Sequence, residues 1–211
     1  MAASITARLE SLENWSAVAF VIGGTFLFGD TTLQALERFT AVSTPGVLRG
    51  VLMLSGILAA IVGLLGLYPR LADESPKLAR VGVVVTAVAC VTFAVIWVWW
   101  IVSNVLTGIP EPVPVVNMLA VVTMVLGFLL FSVASLRTDV PSRSVGVLLL
   151  AIVGVFVGMV VVLIGRIGLP TWSIVAVLGV LSVIMLAIGY LLRANSPQTE
   201  RTKPTSDSVA P

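Results

Sequence analysis

The chain has 211 residues, of which 58% are hydrophobic and only 10% are charged, and its formal net charge is +2. A soluble domain of this size cannot bury so much apolar surface, whereas about 20 apolar helical residues cross the roughly 30 Å hydrocarbon core of a bilayer. We therefore expect an integral membrane protein. The cations lie in separated loops and form no basic patch, so no nucleic-acid partner is expected.

Apolar runs bounded by charges, prolines and polar clusters predict an all-α transmembrane helix bundle. The bundle occupies residues 15–193. A short amphipathic segment at residues 1–14 precedes it, and a polar, disordered tail at residues 194–211 follows it. No cleavage site follows the first apolar run, so the first span is expected to remain in the mature protein. The six predicted spans are residues 15–34, 47–68, 81–106, 115–136, 145–168 and 171–192.

The even-numbered spans end alike, each with an arginine followed by a proline, which predicts three helical hairpins. One interpretation is an ancient duplication with a site at the interface between repeats. The other is that every inner loop needs cations and a helix stop. The three pairs are Arg70 with Pro76, Arg137 with Pro141, and Arg193 with Pro197.

The first span is short, because its purely apolar part from Trp15 to Phe28 covers only about 21 Å. To cross the bilayer the helix must continue through Asp30, about 22 Å from Trp15. Asp30 is therefore expected just under the far membrane interface, paired with Arg166 or Arg49. The candidate outer polar cluster comprises Asp30, Arg49, Glu111 and Arg166. In a purely structural interpretation of this cluster, the ion pair only neutralises a buried charge.

Lysine and arginine, counted on alternate sides of the predicted spans, divide nine to three. Because cytoplasmic loops carry the excess of these residues, both termini are expected in the cytoplasm, with the protein in the cytoplasmic membrane.

The residue inventory argues against an enzyme. The chain has no histidine and one cysteine, Cys90, so imidazole bases, histidine metal ligands and multi-thiolate clusters are excluded. We expect no catalytic, cofactor-binding or metal site. The polar residues within the spans, including Asn104 and Asn117 on either side of the third loop, are expected to bond to helix carbonyls or neighbouring helices.

Small residues recur four apart in two spans and predict helix contact faces, most often with a neighbouring helix of the same chain. They are Gly56 with Ala60 and Ala59 with Gly63 in the second span, and Gly154 with Gly158, followed by Gly165, in the fifth.

The segment around Leu136, Arg137 and Pro141, LGFLLFSVASLRTDVPSRSVGVLLLAIVG, resembles a pattern in multi-pass membrane proteins of bacteria and haloarchaea that carry no assigned activity. The resemblance covers about thirty residues and implies a small six-span fold, with nothing chemical to transfer.

Two functional classes are compatible with this sequence. The favoured one is a non-catalytic structural or accessory membrane component, whose partners are the lipid bilayer and other membrane proteins or copies of itself. The alternative is a transporter or channel for a small or apolar solute. A polar cavity reaching the middle of the bilayer favours transport, and a closely packed bundle favours the accessory role.

Overall fold

The computed structural model describes residues 2–40, 42–105, 114–138, 142–164, 170 and 172–195. These residues form helices and connecting turns, and no strand occurs among them. The helices are α1 (Ala2–Phe39), α2 (Gly46–Leu65), α3 (Tyr68–Ala72), α4 (Pro76–Val105), α5 (Pro114–Thr138), α6 (Arg143–Ile164) and α7 (Trp172–Ala194).

Six helical segments are long and apolar enough to cross a membrane, which confirms the predicted all-α, six-span architecture. Each contains at least 20 residues, or about 30 Å of helix. They are Trp15–Phe39, Gly46–Ala72, Pro76–Asn104, Val115–Thr138, Arg143–Val162 and Trp172–Ala194.

Helix α1 runs unbroken from Ala2 to Phe39, and the part of it that can cross a membrane begins at Trp15, as predicted. The helix extends to Phe39 instead of ending near Gln34. No glycine or proline precedes Gly23, so nothing in the sequence breaks the helix there. Most of the predicted C-terminal tail, from residue 196 onward, lies outside the described residues.

The six spans form a closed ring in which each helix packs against its neighbours in sequence and α7 returns to pack extensively against α1. The contact between α6 and α7 is much less extensive than that between α1 and α7. We call the end of the bundle where α1 connects to α2 the outer end, after the orientation that the charges predict. The opposite end, which carries α3, is the inner end.

The inner half of the bundle is tightly packed. Its core includes fully buried residues from five of the spans: Phe20, Leu64, Phe128, Phe131, Leu149 and Ile188. Helix α3 folds back beneath this core, with Leu71 fully buried. The chain turns into α3 at Gly66, where an added Cβ would lie 2.8 Å from Cβ of Ser16, so only glycine fits against α1.

Hydrogen bonds between helices reinforce the ring. Ser16 Oγ donates to the carbonyl of Gly63 at 2.7 Å, which joins α1 to α2. Ser132 Oγ donates to the carbonyl of Gly146 at 2.8 Å, which joins α5 to α6. Trp97 Nε1 donates to Ser55 Oγ at 3.1 Å, which joins α4 to α2. Because lipid offers no competing partners, such bonds fix the rotation of each helix about its axis.

One of the two predicted small-residue faces is a contact within the chain. Gly56 on α2 meets α1 so closely that a Cβ added at Gly23 would lie 2.8 Å from the Gly56 carbonyl oxygen and 3.6 Å from Cβ of Ala59. Gly63 on the same face accommodates the ring of Phe20, since an added Cβ would lie 2.9 Å from it.

The other small-residue face is not such a contact, so the expectation of a partner in the same chain was wrong there. No described atom outside their own helix lies within 4 Å of a Cβ built at Gly154 or Gly158. Helix α6 packs into the bundle through Val145, Leu149 and Ile152, and the glycine face points away from its neighbours. Gly165 lies outside the described residues.

Candidate functional site

The outer polar cluster is centred on Asp30, which is only 1% exposed. Arg49, in the first turn of α2, places its Nε 3.7 Å from Asp30 Oδ1. Gln34, one turn along α1, donates from Nε2 to Asp30 Oδ2 at 2.8 Å. The structure therefore brings together two of the four predicted residues, Asp30 and Arg49. The other two, Glu111 and Arg166, lie outside the described residues.

Arg49 bridges two carboxylates of α1. Its Nη1 also forms an ion pair with Glu37 Oε2, and Thr44 Oγ1 donates to the same oxygen at 3.3 Å. Within the described residues the cluster holds two carboxylates and one guanidinium. Its clear structural role is to neutralise Asp30 and to tie α1 to the start of α2, since a carboxylate inside a bundle requires a partner.

A cavity of about 530 Å³ lies beside this cluster, in the outer half of the ring, and every span contributes to its wall. Leu27 and Gly50, neighbours of Asp30 and Arg49 along their helices, form part of that wall. The volume falls within the range of small-molecule sites, about 300–1,000 Å³. No acidic or basic side chain is among the described residues that line it.

The lining of the cavity contains seven methionine and aromatic side chains. Four of the six methionines of the chain line the cavity: Met53, Met124, Met159 and Met185. Phe93, Trp100 and Phe156 provide aromatic surface. The Trp100 ring packs directly on the α2 backbone at Gly50, where it would overlap any added Cβ. Unbranched, polarizable methionine side chains adapt to irregular shapes, so this lining suits an apolar guest.

The cavity is closed toward the inner end. Met124, Leu181 and Met185 form its floor, and each is at most 3% exposed. Phe128 and Phe131, one and two turns further along α5, belong to the packed inner core. The cavity is therefore a chamber in the outer half of the bundle, with solid packing beneath it.

The polar groups of the cavity gather at its outer end. Ser103 Oγ and Asn104 Nδ2 both donate to the carbonyl of Trp100, at 3.0 and 2.8 Å. Asn117, at the start of α5, makes no hydrogen bond within the part of the chain that the structure describes.

The expectation that in-span polar groups bond to helices is confirmed for seven residues, whereas Asn117 and the buried Thr86 hydroxyl have no hydrogen-bond partner among the described residues. Ser55 accepts the bond from Trp97 described above. Asn104, Thr25, Thr92, Thr123, Ser132 and Ser182 each donate to a backbone carbonyl. Within the described ranges, no group of three or more acidic, cysteine or histidine residues is placed to hold a metal ion.

The sequence interpretation did not identify the cavity. Its wall consists mostly of ordinary apolar residues, which look the same in a chamber wall and in a packed core. The one available signal is the presence of methionine in four different spans at positions that converge in the outer half. No protein-family model, curated protein or solved structure matches this chain.

Proposed function

We propose that this protein binds a small, largely apolar molecule in the outer chamber of its bundle and exchanges it with the surrounding bilayer, as the binding step of a carrier for an apolar solute. The chamber is apolar and closed toward the inner end, so it suits an apolar solute and not a polar one. The observation that supports this function is the chamber itself, because all six spans contribute to its wall and its volume suits a ligand. A bundle with only a structural role has no need of such a space, since voids weaken packing. No catalytic step is part of the proposal.

Native mass spectrometry of the protein, gently extracted from its own membrane, tests this function. We expect a small-molecule adduct on the parent protein that is lost in Met185→Trp, because the larger side chain fills the chamber floor. Met185→Leu, which is similar in volume, should keep the adduct. Met159→Trp should also remove it, and this variant protects the test against misfolding because Met159 is 51% exposed.

The second candidate function is the accessory role, and the uncovered glycine face of α6 favours it. Gly-x-x-x-Gly faces permit close approach of helices, and Gly154 and Gly158 have no partner among the described residues. The same experiment separates the two functions. A partner membrane protein at fixed stoichiometry, with no adduct sensitive to Met185→Trp, would overturn ligand binding and support the accessory role.

We also propose that the protein lies in the cytoplasmic membrane with both termini in the cytoplasm, on the basis of the nine-to-three division of lysine and arginine. Single cysteines in a Cys90→Ala background test this orientation. In intact cells a membrane-impermeant maleimide should label Ser43→Cys, in the α1–α2 connection, while Glu74→Cys, between α3 and α4, should react only after permeabilisation. Both positions are exposed. The reverse labelling pattern would show the opposite orientation.

A further inference from the structure

We propose that the ligand of the chamber is an uncharged amphiphile. Its hydrogen-bonding head group meets Asn117 and Asn104 at the outer end, and its apolar body extends toward Met124 and Met185. This inference rests on the proposed function and adds the chemical class and the orientation of the ligand.

The side chains that line the chamber among the described residues indicate a neutral ligand. None of the described lining residues is acidic or basic. Asp30 and Arg49, which are close in sequence to the lining residues Leu27 and Gly50, pair with each other, and Arg49 also pairs with Glu37. A ligand carboxylate or ammonium would lose its hydration on entry without gaining an opposite charge from any lining residue that the structure describes, which disfavours charged molecules.

The placement of the amides indicates a head group at the outer end. Asn117 forms no hydrogen bond within the described residues, whereas Asn104 uses its Nδ2 on the Trp100 carbonyl and retains its carbonyl oxygen as an acceptor. Together the two side chains offer donors and acceptors to a hydroxyl, carbonyl or amide. The lining deeper than Ser103 is apolar, so a polar group placed at the floor would remain unsatisfied.

The ligand has a direct route from the lipid. Met159 and Phe156 of α6 line the chamber, and Met159 is 51% exposed. Contact between α6 and α7 is sparse compared with the α1–α7 interface. A molecule already oriented in the membrane, with its head at the interface and its body among the acyl chains, can enter past Met159 in the orientation that the amides favour.

The test compares three probes of equal chain length on the full-length protein in lipid nanodiscs: dodecanol, dodecane and dodecanoate. Binding to Met185→Trp measures non-specific partitioning and is subtracted. We expect dodecanol to bind about tenfold more tightly than dodecane, the gain typical of one or two hydrogen bonds. Dodecanoate at neutral pH should bind most weakly. Asn117→Leu should abolish the preference for the alcohol, while Thr123→Val, on the same helix outside the lining, should retain it.

The outcomes distinguish this inference from the function on which it rests. Equal binding of dodecanol and dodecane, both sensitive to Met185→Trp, would overturn the head-group assignment and leave the apolar-ligand function standing. The head-group assignment would also be overturned if dodecanol still bound more tightly than dodecane in both Asn117→Leu and the Asn104→Leu/Asn117→Leu double variant. Preferred binding of dodecanoate would overturn the neutral class. If no probe exceeds the Met185→Trp background, the proposed function itself fails.

Discussion

Arg49→Met should destabilise the protein by about 3 kcal/mol, at the lower end of the range for breaking a buried ion pair. The change removes the positive charge that lies 3.7 Å from Asp30 while keeping the apolar stem of the side chain. Asp30 is 1% exposed, so water cannot replace the lost partner. The low end applies because the Arg49 side chain is 30% exposed and its charge is partly screened. Thermal unfolding in detergent, followed by circular dichroism, measures the effect.

A double variant identifies the cause. Asp30→Asn in the Arg49→Met background removes the uncompensated charge and keeps the amide in reach of Gln34, so most of the lost stability should return. Arg38→Met is the matched control, because Arg38 is exposed and its replacement should change stability by less than about 0.5 kcal/mol. If Arg49→Met is no less stable than Arg38→Met, the ion pair has no structural role.

Gly23→Ala should destabilise the protein by about 1–3 kcal/mol, the usual effect of overpacking. The new Cβ would lie 2.8 Å from the Gly56 carbonyl oxygen and 3.2 Å from the Ala60 nitrogen. Both atoms belong to the backbone of α2 and cannot rotate away, so the two helices must separate. The midpoint of thermal unfolding should fall accordingly.

Gly154→Ala is the matched control, since it makes the same chemical change on a helix where no described neighbour lies within 4 Å. Alanine favours helix over glycine by roughly 0.5–1 kcal/mol, so this variant should be as stable as the parent or more so. If both variants lost stability equally, the effect would belong to glycine itself and not to the α1–α2 crossing.

Uncharged stretches were sufficient to predict six spans, because the length of an apolar run relates directly to bilayer thickness. The end of the first span was placed five residues early, at Gln34 instead of Phe39. The prediction ended the helix where polar residues begin. In the structure these residues continue the helix because Asp30 and Glu37 find a cation on α2. That partner is supplied by packing, which the local sequence does not reveal.

The candidate site was only partly predictable, for a related reason. Asp30 stood out because a short apolar run forces a carboxylate toward lipid, and Arg49 was one of two cations proposed for it. The chamber had no comparable signal, since it depends on how far the helices separate at the outer end. Likewise, equal glycine spacing in α2 and α6 gave no indication that Gly56 meets α1 while Gly154 meets no described neighbour.

The tightly packed inner half of the bundle determines whether ions can pass from the chamber through the protein. From Met124 to Ala134, α5 contributes about 15 Å of helix whose core-facing side chains are fully packed. An ion that reached the chamber floor would meet a layer of mainly apolar side chains, in which the few buried hydroxyls, those of Thr86, Ser132 and Ser135, cannot replace its hydration shell. If the chamber takes up ligands from the lipid, as we propose, this packed layer prevents it from becoming a path for ions through the bundle.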